Sequence, residues 1–419
     1  MSLHTQNWSG HAPFHAARFH QPTSLAELQT IVRNADKVKV IGARHCFNDI
    51  ADTAGDMISL ANLDKTVTLD RDRNTATVNA GITYGELCPQ LHAAGYALHN
   101  MASLHHISVI GACMTGTHGS GDKSGNLATA VSGLEMVTAD GELITLTRDQ
   151  DGDTFNGAVV ALGALGVVTK VTLDLLPTFD LHQVVYERLP MRHVIDSFDA
   201  IMSTGYSVSL FPTWQQDYVE NVWVKQRVTD GKPFDFPPTF FDAERIDAAR
   251  PIREGVDRYS TQMGVPGPWH ERMPHFVFID AERMGNELQS EYFVARKDAV
   301  AAIQAVAALG EHFAPVFGVT EIRTMTGDDL WLSMAYGQDT VGIHFNWLKD
   351  WAGVEPLLPR IEEALAPFNP RPHWGKLFTL TPAQIQAQYP RMADFRALAQ
   401  ELDPQGKFRN AYVDRYLFG

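Results

Sequence analysis

The chain has 419 residues, 45% hydrophobic and 20% charged, which is ordinary for a globular protein and long enough for two or three domains. Its 34 basic against 49 acidic side chains leave a net charge of -15, which argues against a nucleic-acid or anionic-membrane partner. The three cysteines, Cys46, Cys88 and Cys113, are too few for a disulfide framework, no run of 18 apolar residues marks a membrane span, and MSLHTQNWSGH has no signal-peptide character, so a cytoplasmic monomer is expected.

Residues 23–36 (TSLAELQTIVRNAD) predict a helix, with Thr23 or Ser24 placed to cap it, Glu27 three residues after Ser24, and Leu25, Leu28, Ile31 and Val32 at helical spacing. Next, KVKVIGARHCF (37–47) reads as a strand that breaks into a turn at Gly42 and ends on His45. Such a turn lets backbone N–H groups approach an anion closely. Strands are predicted at 57–63, 66–70 and 75–81, then a helix over 83–94 stopped by Gly95. Residues 97–110 read as a loop leading into a second glycine-dense segment, 111–121. Strand character returns at 130–147, where Ala139, Asp140 and Gly141 signal a hairpin, and at 161–177. Residues 1–178 therefore read as one α+β domain.

The composition changes after Pro177. Strands are predicted at 206–211 and 218–228, a Pro- and Phe-rich loop at 232–241, and a helix at 295–310. Three more strands are predicted at 319–325, 340–348 and 373–380. Glu321 and Arg323 lie two apart, so on a strand they share one face, as do His344 and Asn346. Helices are predicted at 355–366 and 390–402, and a turn at 403–412. Residues 179–390 read as a second domain, and 391–419 as a segment returning to the first.

GTHGSG (116–121) is not a dinucleotide fingerprint, because its order is G-x-x-G-x-G and no βαβ unit surrounds it. With Thr115, Thr117 and Ser120 it still offers donors suited to a pyrophosphate; a plain surface hairpin fits that loop alone equally well. His105, His106 and His118 lack zinc-site spacing, so no metal is expected.

VIGARHCF (40–47), NMASLHHIS (100–108), GTHGSG, LGALGVVT (162–169) and DPQGKFRNAY (403–412) together resemble the flavin oxidases of the vanillyl-alcohol-oxidase type. Within that group the chain is most similar to the alditol (xylitol) oxidases, near relatives of the sugar-lactone oxidases. VPGPWHERMPHF (265–276), ELQSEYF (287–293) and RPHWGK (371–376) extend the resemblance along the chain. It implies a two-domain α+β fold: a PCMH-type FAD-binding domain, and a substrate domain with an antiparallel sheet flanked by helices. It also implies one FAD per chain, joined covalently at its 8α-methyl to His45, with Cys46 as a small packing neighbour. Val40, Ile41, Gly42, Ala43, Arg44, Cys46, Ser103, Ser108, Gly111, Thr115, Gly116, Thr117, His118 and Val168 would surround the FAD.

By the same resemblance, Ser103, Glu321, Arg323, Asn346 and Lys376 would contact a polyol, and Arg323, Lys376, His344 and Glu321 would carry the chemistry. The two cations would stabilise a developing alkoxide. His344 would accept the proton or pack, and Glu321 would bind hydroxyls and hold Arg323 through charge-assisted contacts. Ala102 would leave room for O2. The implied activity is oxidation of the terminal primary alcohol of xylitol or sorbitol to the aldose, with hydride passing to flavin N5 and O2 becoming H2O2. The alternative is an aldonolactone oxidase or dehydrogenase of the same fold.

Overall fold

The computed structural model describes residues 5–229, 231–250, 259–276 and 285–419. The first helix spans Leu25–Asn34, and its predicted cap forms: the Glu27 amide donates to Ser24 Oγ at 3.3 Å. Leu28 and Val32 are its buried face. The strand Val38–Ile41 follows and pairs in parallel with Asp56–Ser59, which in turn pairs with Arg18–His20. A second, antiparallel sheet runs in the order Val67–Asp70, Thr75–Asn79, Val167–Asp174, Val131–Val137, Leu143–Thr147. The expected hairpin joins its last two strands, with Gly141 at φ 78°.

Among the described residues, a ten-stranded antiparallel sheet forms the other half. Its central strands lie in the order Ser207–Pro212, Phe317–Met325, Thr340–Leu348, Glu287–Ala295. Side chains alternate along each strand, so the sheet has two different faces. Leu288, Tyr292, Ile322, Ile343 and Phe345 point one way, into a core shared with the helices Met191–Met202, Ala299–Ala307 and Leu358–Leu365. Gln289, Glu291, Glu321, Arg323, His344 and Asn346 point the other way, towards the N-terminal sheets.

Two expectations change, and one helix is added. The end of the 97–110 loop and the start of the 111–121 segment form a six-residue helix, Val109–Met114, in which Gly111 lies close against Ser108. A helix also occupies Arg148–Val159, its Thr147 side chain accepting from the Gln150 amide. The strand expected at 373–380 is not one. Only Arg371–Pro372 pairs with the sheet, after which the His373 imidazole accepts the Gly375 amide at 3.0 Å and the chain turns. The C-terminal helices Pro382–Gln388 and Met392–Leu402 place Ile385, Phe395 and Leu398 in the same core as Tyr84, Leu87 and Phe155.

Candidate active site

The polar face of the large sheet and both glycine loops line one cavity of about 430 Å³. Its floor is the 40–47 turn, the 102–108 loop, Gly111, Thr115, Thr117, His118 and Val168; its roof is Gln289, Glu291, Glu321, Arg323, His344, Asn346 and Lys376. Of the residues singled out for the cofactor, Gly116 and Ser120 are not on this wall; Ser120 Oγ donates to the Val208 carbonyl instead. The Gly116 φ of 66° makes the bend behind the wall, against the Met334 side chain.

The floor is built by close approach. A Cβ at Gly42 would lie 2.2 Å from Ser108 Oγ, and one at Gly111 would lie 2.5 Å from the same atom. The N-terminal segment then fixes the turn: the Trp8 amide donates to the Arg44 carbonyl at 2.7 Å, and Arg44, at φ 60°, donates to the Gln6 carbonyl. The His45 ring lies 4.3 Å from Trp8 and 5.5 Å from both Phe47 and His106. Burial, with His106 and Lys376 nearby, holds its pKa well below the usual range, so the imidazole is neutral. Its Nδ1 is buried with no hydrogen-bond partner among the described residues. Cys46 behaves as expected of a packing residue. Its surroundings push the thiol up to about 12, and Sγ fills the space beside Gly375.

Floor and roof are clasped together at this point. The Phe47 amide donates to the Gly375 carbonyl at 2.7 Å, and Asn48 Nδ2 donates to the Trp374 and Lys376 carbonyls, each at 2.8 Å. Lys376 thus enters the site from a turn, not from a third strand.

On the roof, the register Glu291↔His344 and Glu321↔His344 brings three adjacent strands to one point. Sequence reasoning gave no role to the residue at its centre, Glu291. Its Oε1 lies 2.8 Å from Arg323 Nη2 and 3.1 Å from His118 Nε2; its Oε2 lies 2.5 Å from Lys376 Nζ. Lys376 also donates to His344 Nδ1 at 2.9 Å. Glu321, expected to hold Arg323, lies at ion-pair distance from it, Oε2 3.7 Å from Nε, too long for a hydrogen bond. Its Oε1 takes His275 Nε2 at 2.7 Å, and the carboxylate that hydrogen-bonds Arg323 is Glu291. Burial works to raise the Glu291 carboxyl, but Lys376 and Arg323 outweigh it and keep it well below the usual range. Against the same penalty, Arg323 and His275 hold Glu321 down. Burial and the Lys376 charge keep His344 neutral.

Residues 16–147 match the family model for the FAD binding domain, and residues 275–416 match that for D-arabinono-1,4-lactone oxidase. The chain is 44% identical over 423 residues to the alditol oxidase of Streptomyces sp. (strain IKD472 / FERM P-14339), covering 100% of both. The chain belongs to the alditol oxidase family. It is also 29% identical to the L-gulono-1,4-lactone dehydrogenase of Mycobacterium tuberculosis (100% of both chains) and 28% identical to the L-gulonolactone oxidase of Mus musculus (99% and 98%). In fold it matches the cholesterol oxidase from B. sterolicum, with a TM-score of 0.79 over 98% of this chain and 96% of that one at 15% identity.

This member of the alditol oxidase family is therefore an FAD-dependent oxidoreductase, with a PCMH-type FAD-binding domain and a second domain built on the antiparallel sheet. The floor suits FAD on its own terms. Glycines at 42 and 111 bring the backbone close against Ser108 on the cavity wall, the close approach that a pyrophosphate cradle uses, and an orphaned, neutral imidazole nitrogen lies at His45. On the roof, Arg323 Nε and Asn346 Oδ1 are buried and unbonded among the described residues, which leaves polar atoms for a ligand. Ser103 and Ala102 both line the cavity. Glu291, His275 and Gln289 were the residues missed. The signal for the first and last was the period-two polar series Glu287, Gln289, Glu291 in a strand buried along its whole length.

Proposed function

We propose that the chain oxidises the terminal primary alcohol of neutral alditols such as xylitol and sorbitol to the aldose, reducing O2 to H2O2, with its FAD covalently attached at His45. The observation that carries this reading is the meeting of Arg323, Glu321 and His344 on one sheet face with Lys376 from the neighbouring turn, in the cavity that the His45 turn also lines. When bound, FAD supplies the acceptor for the C1 hydride, and O2 takes up the electron pair.

The protein's residues supply the rest. Arg323 and Lys376 stabilise negative charge as it develops on the substrate oxygen; each such donor contributes on the order of 10²–10³ in rate. The Lys376 ammonium donates to His344 Nδ1, so the neutral ring carries its proton on Nε2 and serves as a donor. Glu321 Oε2, whose partner oxygen is held by His275, accepts a hydrogen bond from a substrate hydroxyl. Asn346 and Gln289 lie two residues further along their strands, about 7 Å away, within reach of more distant hydroxyls.

The family model over residues 275–416 supports a second reading, sugar-lactone oxidation, but the lactone-acting relatives are 29% and 28% identical against 44% for the alditol oxidase. Oxygen uptake and H2O2 release with xylitol, sorbitol and L-gulono-1,4-lactone compared side by side test the choice. Faster turnover of the polyols is expected; a preference for the lactone overturns the proposal. Attachment is tested by acid precipitation. The yellow colour should stay with the pellet of the native protein and pass to the supernatant for His45→Ala.

A further inference from the structure

The reacting end of the cavity holds four charged side chains within one contact network. Arg323 and Lys376 are positive, Glu291 and Glu321 negative, and the site is therefore electrically balanced. The two carboxylates are placed differently. Glu321 meets Arg323 only at 3.7 Å, whereas Glu291, on the cavity wall but with its side chain 0% exposed, gives one oxygen to Arg323 and His118 and the other to Lys376. A carboxylate so engaged has little left to offer a substrate hydroxyl. What it does is cancel the attraction that Arg323 and Lys376 would otherwise exert on a negatively charged ligand.

We propose that Glu291 is a specificity-determining residue, whose buried charge sets this site for neutral polyols and against sugar acids. The inference rests on the alditol reading and extends it. An alditol and the corresponding aldonate have nearly the same length and hydroxyl pattern, so shape and hydrogen bonding discriminate weakly between them. An isolated Arg–Lys pair, by contrast, is the arrangement that binds a carboxylate, the guanidinium as a fork and the ammonium as a point charge. In low-dielectric surroundings such a pair is strongly attractive unless its charge is already met. Glu291 meets it from the strand side, and His118, 3.1 Å away on the flavin loop, fixes the carboxylate in place.

The test uses the flavin-loaded protein and xylonate, which has no aldehyde and offers a carboxylate where xylitol has a primary alcohol. Binding is read from the perturbation of flavin absorbance, which needs no turnover. Glu291→Gln should bind xylonate at least tenfold more tightly than the native protein, a change of about 1.4 kcal/mol, and the gain should shrink as salt is raised. Glu291→Asp, which keeps the charge, should not gain. Unchanged xylonate affinity in Glu291→Gln overturns the proposal. Lys376→Met tests the same balance with Glu291 intact, should the first variant fail to fold. It should bind the protonated amino-alditol glucamine more tightly than the native protein does, and no gain there equally overturns the idea. If native protein binds neither probe and turns over no polyol, it is the alditol reading that has failed.

Discussion

Lys376 shows how much one side chain depends on its surroundings. It is an ammonium inside the protein, with Glu291 on one side and His344 on the other. Burial lowers its pKa from that of a free lysine, Glu291 opposes this, and Arg323 adds to the lowering. Its folded pKa thus lies below the usual ~10.4. The charged form is present at lower pH and lost as pH rises through that value. The alkaline limb of kcat/KM should therefore fall below the ordinary lysine range, and a limb at or above ~10.4 would show that Lys376 is not the group responsible. Lys376→Met should cost about 10²–10³ in kcat, measured by H2O2 release with xylitol at saturation. Nothing in RPHWGK distinguishes this lysine from a solvated one. Its role becomes visible only when Glu291, 85 positions away, is seen at its tip.

At the scale of elements, period and spacing were informative where structure is local. The helix capped by Ser24, the strand Thr340–Leu348 and the hairpin at Gly141 could all be read from neighbouring residues. The pairing of Glu321 with Arg323 on one strand face was legible for the same reason, but not which carboxylate holds the guanidinium, since that depends on strand order. The turn after Pro372 was missed because its amide is capped by an imidazole, a hydrogen bond that propensity does not encode. The glycine turn at the cavity floor makes a sharp demand of its own. Gly42→Ala forces a methyl into Ser108 Oγ and to 3.2 Å from its Cβ, so the Ser108 hydroxyl must rotate away and the 40–47 turn must ease back by a few tenths of an ångström. Weaker FAD retention is expected, seen as a lower flavin-to-protein absorbance ratio after gel filtration; a native ratio would show that the floor yields easily.

For the molecule as a whole, the tail is part of the FAD-binding half. Lys407 donates to the carbonyls of Val32 and Ala139, and Asp403 accepts the amides of Lys407 and Phe408. Phe408 is buried against Val38, Ile58 and Val167, and its carbonyl accepts from the buried Lys39 ammonium, which also reaches the Leu162 carbonyl. Phe408→Ala should destabilise the protein by about 3–5 kcal/mol, measured by urea titration, because the cavity it leaves is walled by strands that cannot close up. A loss below about 1 kcal/mol would show the tail to be a loosely held appendage.

The clasp between Asn48 and the carbonyls of Trp374 and Lys376 joins residues more than 320 positions apart. It also sets an order in time. Closing so long a loop is entropically costly and slow, and it is rewarded only once both ends exist. While the ribosome is still making the C-terminal part of the chain, the His45 turn has no lysine turn to rest on. This wall of the cavity is therefore completed only once residues 374–376 have been made.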